Sequence, residues 1–464
     1  MFTSLLLTAS LASGQPPANV YYPRTSYPVV AQPAPAAQPP AALPMTQPPA
    51  AAPGKADDPG PAPDAPAEEA KKEEPEAIGI MKLLEGTRTG DFLAEKRISI
   101  SGWTEFQYNA SSAANNNSPV VWNDRANKFL LNQVWLRLEK ATDTESKEMS
   151  FGYRVDTVYG SDYRFTLQRG LFNSQLESSR GNQNLYGVDL IQFYANAYLP
   201  NLFQGTDVRA GRLFTPFGYE SLEGVSTPFA SRSYAFNWAP PFTHMGIQVA
   251  PTFSDNWAGK FMIANGNDVW FVPEQELRGV AALTYTSDDK DTTATFGTSF
   301  GRGIFNAGSP FNPATVGLQT EPAGRNNINV FDFVLTKKIN DKWNYAFESI
   351  YGYQQRVPAN VAGGIIKENA TEGTAHWYSI VNYLTYAVSD TVSAVNRLEF
   401  FDDAQGQRTG FEGLYTAYTF GLQWRPTPWA IIRPEVRYDH NNYSRPFEGK
   451  DDIFTATFDV VLRF

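Results

Sequence analysis

The chain contains no cysteine, which excludes a disulfide framework, a thiolate metal site and a cysteine nucleophile. Histidine is scarce as well. His244, His376 and His440 stand on separate segments without ligand spacing, and each is expected at a rim rather than in a catalytic set. Charged residues make up 19 %, against about 25 % in ordinary globular chains. The formal net charge is −10, which leaves no basic surplus for a nucleic-acid partner. Beyond the N-terminus no run approaches the ~18 consecutive apolar residues that a spanning helix needs. No cofactor, no metal and no enzymatic motif is expected. What the 464 residues do have is rings: 32 Phe, 23 Tyr and 10 Trp.

The N-terminal part is not built to fold. Residues 1–14 carry a short apolar core and then Ser13 and Gly14, which reads as a signal peptide lacking its usual basic start. Residues 15–77 are rich in Pro and Ala and bury too little to fold, so a disordered periplasmic linker is expected. It serves either as a spacer toward the cell wall or as an unconstrained tail. Residues 78–96 form a short amphipathic segment in which Ile78, Met81, Leu83 and Leu84 precede Gly86. It would cap a barrel mouth or dock loosely as a single turn.

From Ile98 onward the hydrophobic period is two, the period of a strand. Phe454, Ala456, Phe458, Val460, Leu462 and Phe464 share one face. Ile453, Thr455, Thr457, Asp459, Val461 and Arg463 share the other. The pattern recurs with Phe331 and Phe333 against Asp332, with Trp343 and Phe347 against Glu348, and with Ile191 and Phe193 against Gln192 and Tyr194. Short Asp-rich turns, such as 287–291, 340–341, 389–390 and 425–428, alternate with long loops, such as 110–127, 160–185, 215–241 and 303–327. That asymmetry predicts an all-β transmembrane antiparallel barrel of about sixteen strands over 97–464. Strands are centred on Trp103, Val134, Tyr153, Phe193, Ala210, Gln248, Met262, Leu283, Phe296, Phe333, Phe347, Val381, Asn396, Phe420, Glu435 and Phe458. Closure pairs every backbone group, which the bilayer interior cannot do. A barrel this wide leaves an aqueous channel unless something fills it. Trp257, Trp343, Tyr383, Tyr386, Trp424 and Trp429, next to short turns, are expected in an interfacial girdle.

The run Gly211-Arg212-Leu213-Phe214-Thr215-Pro216-Phe217-Gly218-Tyr219-Glu220 resembles the beta-barrel porin-2, OmpL-like family. So do Ile100-Ser101-Gly102-Trp103-Thr104, Val134-Trp135-Leu136-Arg137-Leu138-Glu139, Pro241-Phe242-Thr243-His244-Met245-Gly246 and the terminal Phe464. The resemblance implies a porin-like channel of the bacterial outer membrane but brings no particular solute.

By analogy with sixteen-stranded porins, the third long loop would fold inward. Glu220, Glu223 and Arg232 would then face one another across a pore constriction. Alternatively the loop packs over the outer rim. Pore lining is assigned from the alternation to Glu105, Arg137, Glu139, Arg154, Asp156, Asp332, Glu348, Arg397, Glu399, Arg433, Glu435 and Arg437. The acidic balance leans toward cation preference. Arg209 and Arg212 have opposite parity, so a bulge or strand end near Gly211 is expected. Another is expected at Pro434, which lacks a ladder donor. The leading functional expectation is a channel for passive diffusion of ions and small hydrophilic solutes. The alternative is a structural or adhesive surface barrel whose N-terminal arm faces the cell wall. Expected partners are outer-membrane lipid, the barrel-assembly machinery acting on Phe464, small hydrophilic solutes and two further copies in a homotrimer.

Overall fold

The computed structural model describes residues 79–176, 185–271, 276–302, 328–358 and 372–464. The expected signal peptide, the linker and the loop at 303–327 lie outside them. Two short helices come first, α1 (Ile80–Leu84) and α2 (Arg88–Glu95), the second opened by Thr87, whose hydroxyl accepts from the Gly90 N–H. They pack beside the first strand, and the Ile100 N–H points at Met81 Sδ.

Sixteen antiparallel strands follow and close on themselves. They are β1 (Ile98–Ser111), β2 (Lys128–Lys140), β3 (Ser150–Gly160), β4 (Gly187–Leu199), β5 (Thr206–Phe214), β6 (Thr243–Pro251), β7 (Trp257–Ala264) and β8 (Arg278–Thr286). Then come β9 (Thr292–Phe300), β10 (Asn329–Lys338), β11 (Trp343–Pro358), β12 (Glu372–Ala387), β13 (Val392–Asp403), β14 (Gly413–Thr427), β15 (Ala430–Asn441) and β16 (Asp452–Arg463). Each strand pairs with its neighbours in sequence, and β1 pairs with β16. The seam ends where Phe464 and Gly102 exchange two backbone hydrogen bonds of 2.9 Å.

The barrel is inside out relative to a soluble sandwich. On β16, Phe454 and Phe458 are about half exposed (49 % and 50 %), whereas Thr455, Thr457 and Asp459 are 1 %, 2 % and 0 % exposed. Rings stand outward because the outer solvent is hydrocarbon, and polar side chains turn in because the closed wall shelters them. Trp257, Trp343, Trp424 and Trp429 are exposed on the outer face near the short turns, and the Tyr386 ring lies tilted against Trp343 at 4.6 Å. Tyr383 departs from the expected girdle. It points inward, is 1 % exposed, and donates to Glu220.

Local phase slips account for the other departures. The β3–β4 ladder shifts register between Asp156 and Val158, which turns Ile191 to the interior, away from Phe193. No bulge separates Arg209 from Arg212, since β5 stays in register with β6 throughout. Between them Gly211 has φ +148°, a region that L side chains rarely adopt; Arg209 pairs with Asp207 and Arg212 with Asp189. Pro434 causes neither a bulge nor a strand end. β15 runs on through it, paired with Phe458 of β16, while the β14 side skips from Gly421↔Glu435 to Trp424↔Ile432. The turn expected at 425–428 is tighter, so that Arg425 belongs to β14.

Candidate functional site

The third long loop runs inward. Between Phe214 and Thr243 it crosses the lumen, forms a short helix and reaches the walls of many strands. A chain segment away from water must find partners for its own N–H and C=O groups. Here inward-facing side chains of the wall supply them. Glu399 accepts from the N–H groups of Tyr234 and Ala235 at 2.9 and 2.7 Å. Glu435 accepts from Ala230 and Ser231, and Glu348 accepts from Tyr219 at 3.0 Å. Arg433 donates to the carbonyls of Gly224 and Thr227, and Arg437 donates to that of Arg232. Gln133 and Gln423 bind the further loop carbonyls of Leu222 and Pro228. Within the loop, the Ser233 hydroxyl accepts from Phe236 N–H and starts the helix Tyr234–Trp238.

The first long loop joins it. Trp122 Nε1 donates to Asn237, and Trp238 Nε1 donates to the Pro119 carbonyl at 3.1 Å. Arg164, in the second loop, makes two bonds of 2.9 and 2.7 Å to Asp124. Trp122, Phe236 and Phe242 pack together at ring distances between 4.8 and 6.1 Å. The outer half of the lumen thus contains a small apolar core of its own, bounded by Trp103 and Trp135, which stack at 4.6 Å.

Glu220, Glu223 and Arg232 all lie on this inner loop, but they do not oppose one another across an opening. Each finds its partners locally. Glu220 accepts from Arg397 Nη1 at 2.7 Å, from the Tyr383 hydroxyl and from the Ser233 N–H. Glu223 accepts from Arg137 and Arg154. Arg232 donates to the carbonyls of Ser221, Phe229 and Ala230 and lies over the Trp122 ring. Charges that would drive a field across a pore instead hold the loop to the wall.

The twelve lining candidates all face inward, yet few of them meet water. Glu105 and Asp459 share Arg433, Arg437 is held by Asp439, and Asp332 and Glu348 are buried beside the start of the inner loop. Asp156 is buried beneath Arg137 and Arg154, which keep side-chain exposures of 18 % and 17 %. Glu139 stands partly exposed next to them. The wetted part of the lumen is its short-turn half. There Arg209 bonds Asp207 and lies 4.9 Å over the Tyr194 ring. Lys260, Arg425 and Arg463 are exposed on inward faces. Neither Lys260 nor Arg425 is assigned to the lumen from the sequence. Alternation alone would have placed Lys260 inward, on the side of the inward Met262 and opposite the outward Phe261. His244, expected at a rim, is fully buried, between the Thr215 hydroxyl and the Gly266 carbonyl.

Residues 97–464 match the family model described as "Putative beta-barrel porin-2, OmpL-like". The chain belongs to that family. It is an outer-membrane porin, a channel for passive diffusion, and porins are channels rather than enzymes. No curated protein matches it. Among solved structures it is similar to OprB of Pseudomonas putida, with TM-score 0.50 and 12 % identity over 81 % of this chain and 96 % of that one. It is also similar to the outer-membrane channel DcaP of Acinetobacter baumannii, at 0.48 and 10 %, covering 79 % and 97 %. The trimer form of OmpT from Vibrio cholerae gives 0.46 and 13 %, covering 79 % and 99 %. Identities this low speak to the barrel fold alone.

Proposed function

We propose that this porin is a narrowed pore in which the inner loop reduces the path and the short-turn half sets what enters it. The observation that supports this reading is the division of the lumen. The loop Thr215–Phe242 is strapped to the wall by Glu348, Glu399, Glu435, Arg433 and Arg437, while charged side chains below it remain open to water. Ions and small hydrophilic solutes would pass beside the loop, through whatever cross-section the wall leaves. Outer-membrane lipid surrounds the barrel in this reading, two further copies complete a trimer, and the terminal Phe464 is the handle for barrel assembly. No catalytic role, cofactor or metal is assigned.

The filled outer half gives substance to a second reading, a structural or adhesive barrel that conducts nothing. Single-channel recording of the refolded full chain separates the two. Steady conductance steps are expected, and replacing residues 217–240 by a short Gly-Ser link should raise them about twofold or more, as the obstruction is removed. Heat-modifiable, folded protein that stays silent would favour the structural barrel. Unchanged steps in the shortened variant would take the inner loop out of the conduction path.

A further inference from the structure

We propose that the short-turn half of the lumen prefers small anions, and that Lys260, Arg425 and Arg463 set that sign. The inference rests on the porin reading and adds the class of solute. All three residues are exposed, all three face inward by alternation with Met262, Gln423 and Val461, and all three lie close to the short-turn ends of β7, β14 and β16. In the closed strand order β7 stands across the barrel from β14 and β16, so the cations approach the same water from opposite walls.

What distinguishes them is the lack of compensation. Arg137, Arg154 and Arg209 are matched by Asp156, Glu223 and Asp207 in direct ion pairs. Among the described residues no carboxylate lies within ion-pair distance of the other three. The charged group that acts on Lys260 is Arg209, and those that act on Arg425 are Arg433 and Arg463, all of the same sign. Arg433 is itself spent on Asp459 and Glu105. Arg463 reaches only the Pro428 carbonyl, at 3.5 Å. The acid left over is Glu139, and it stands next to Arg154 on the β2–β3 wall.

A walled, water-filled passage focuses the field of such unpaired charges. Uncompensated Lys and Arg side chains around a passage are the usual means of favouring anions. The chain's net charge of −10 points the other way, but that total counts residues outside this half of the lumen. Acids in the exposed turns, such as Asp143, Asp289 and Asp341, face bulk solvent, and on this half of the wall Asp156 and Asp207 are already paired.

The test is the reversal potential of the refolded full chain in a neutral-lipid planar bilayer under a potassium chloride gradient. Chloride should permeate in preference to potassium. The K260Q/R425Q/R463Q variant should keep its conductance steps and lose that preference by about threefold or more at low salt, with a smaller change at molar salt, where screening is strong. Lys260→Gln alone should shift the potential in the same direction by less, and it keeps the question answerable if the triple variant fails to fold. Wild-type steps that favour potassium, or a folded variant with an unmoved potential, would overturn the inference and leave the porin reading intact. Folded wild-type protein with no steps would overturn both.

Discussion

The two halves of the lumen are built from the same residue types and do opposite things with them. In the outer half, Glu399, Glu435, Arg397 and Arg437 are 0 to 4 % exposed, and each is bonded to the inner loop. In the short-turn half, Lys260, Arg425 and Arg463 remain accessible. A charge in the first group serves as a strap, because it meets backbone donors and acceptors in a dry setting. A charge in the second group contributes a field, because among the described residues no carboxylate pairs with it. Counting lumen charges therefore says little about selectivity. Partnership and burial decide which charges a permeating ion can feel.

The largest expected effect probes the strap side. Arg397→Ala removes a guanidinium that holds Glu220 at 2.7 Å and bonds Ser231 and Thr419, and it leaves the carboxylate buried without its cation. Loss of one partner of a buried pair costs about 3–5 kcal/mol. Arg209→Ala, which breaks the part-exposed pair with Asp207, should cost less than about 1 kcal/mol. Denaturant unfolding of both variants in the same detergent gives the comparison. Equal losses would mean that the two halves do not differ as described.

The sequence was informative where the bilayer imposes a rule on every strand. All sixteen expected strand centres fall within strands, because an outward apolar face and an inward polar face must alternate wherever lipid meets the wall. It was silent where one residue shifts the phase. Ile191 turns inward at a register shift, and that event leaves no periodic trace. Tyr383 was misplaced for a different reason. An aromatic near a short turn fits a girdle by position, and only the arrival of Glu220, 163 residues away in sequence, explains why it faces in. The inner loop was legible as a long insertion with charges in it. Its seating was not, since hydrogen bonds between a loop and nine or so different strands follow from closure, which no local window contains.

A middle-sized effect compares the two acidic residues of the inner loop, Glu220 and Glu223. Glu223 reaches the wetted half, where its side chain is 16 % exposed beside Arg137 and Arg154. Glu223→Gln frees part of that positive charge and should move the reversal potential toward chloride. Glu220 is fully buried against Arg397, so Glu220→Gln should change stability and leave the potential nearly unmoved. Equal shifts from both would place the conducting water on the dry side of the loop as well.

The smallest effect concerns how the outer end is pinned, and it depends on pH. Glu448, in the loop after β15, accepts from the N–H groups of Ala114, Asn115 and Asn116 in the first loop at 2.8, 3.0 and 3.1 Å. Partial desolvation raises its carboxyl pKa, but these donors outweigh that and leave it below the ordinary glutamate value. A lowered folded-state value means that the latch favours the charged form. Its contribution is complete above the usual carboxylate range and fades as the pH falls through the lowered value. Amide exchange at Ala114, Asn115 and Asn116 should therefore be slower in the native chain than in Glu448→Gln at neutral pH, after correction for intrinsic exchange. The gap should close as the solution is acidified below that range. The latch lies on the exposed rim, so conductance should hardly respond, unlike the variants of the inner loop. A large change in conductance on acidification that is abolished by Glu448→Gln would show that the rim controls the filled half, and that the wall straps alone do not hold it in place.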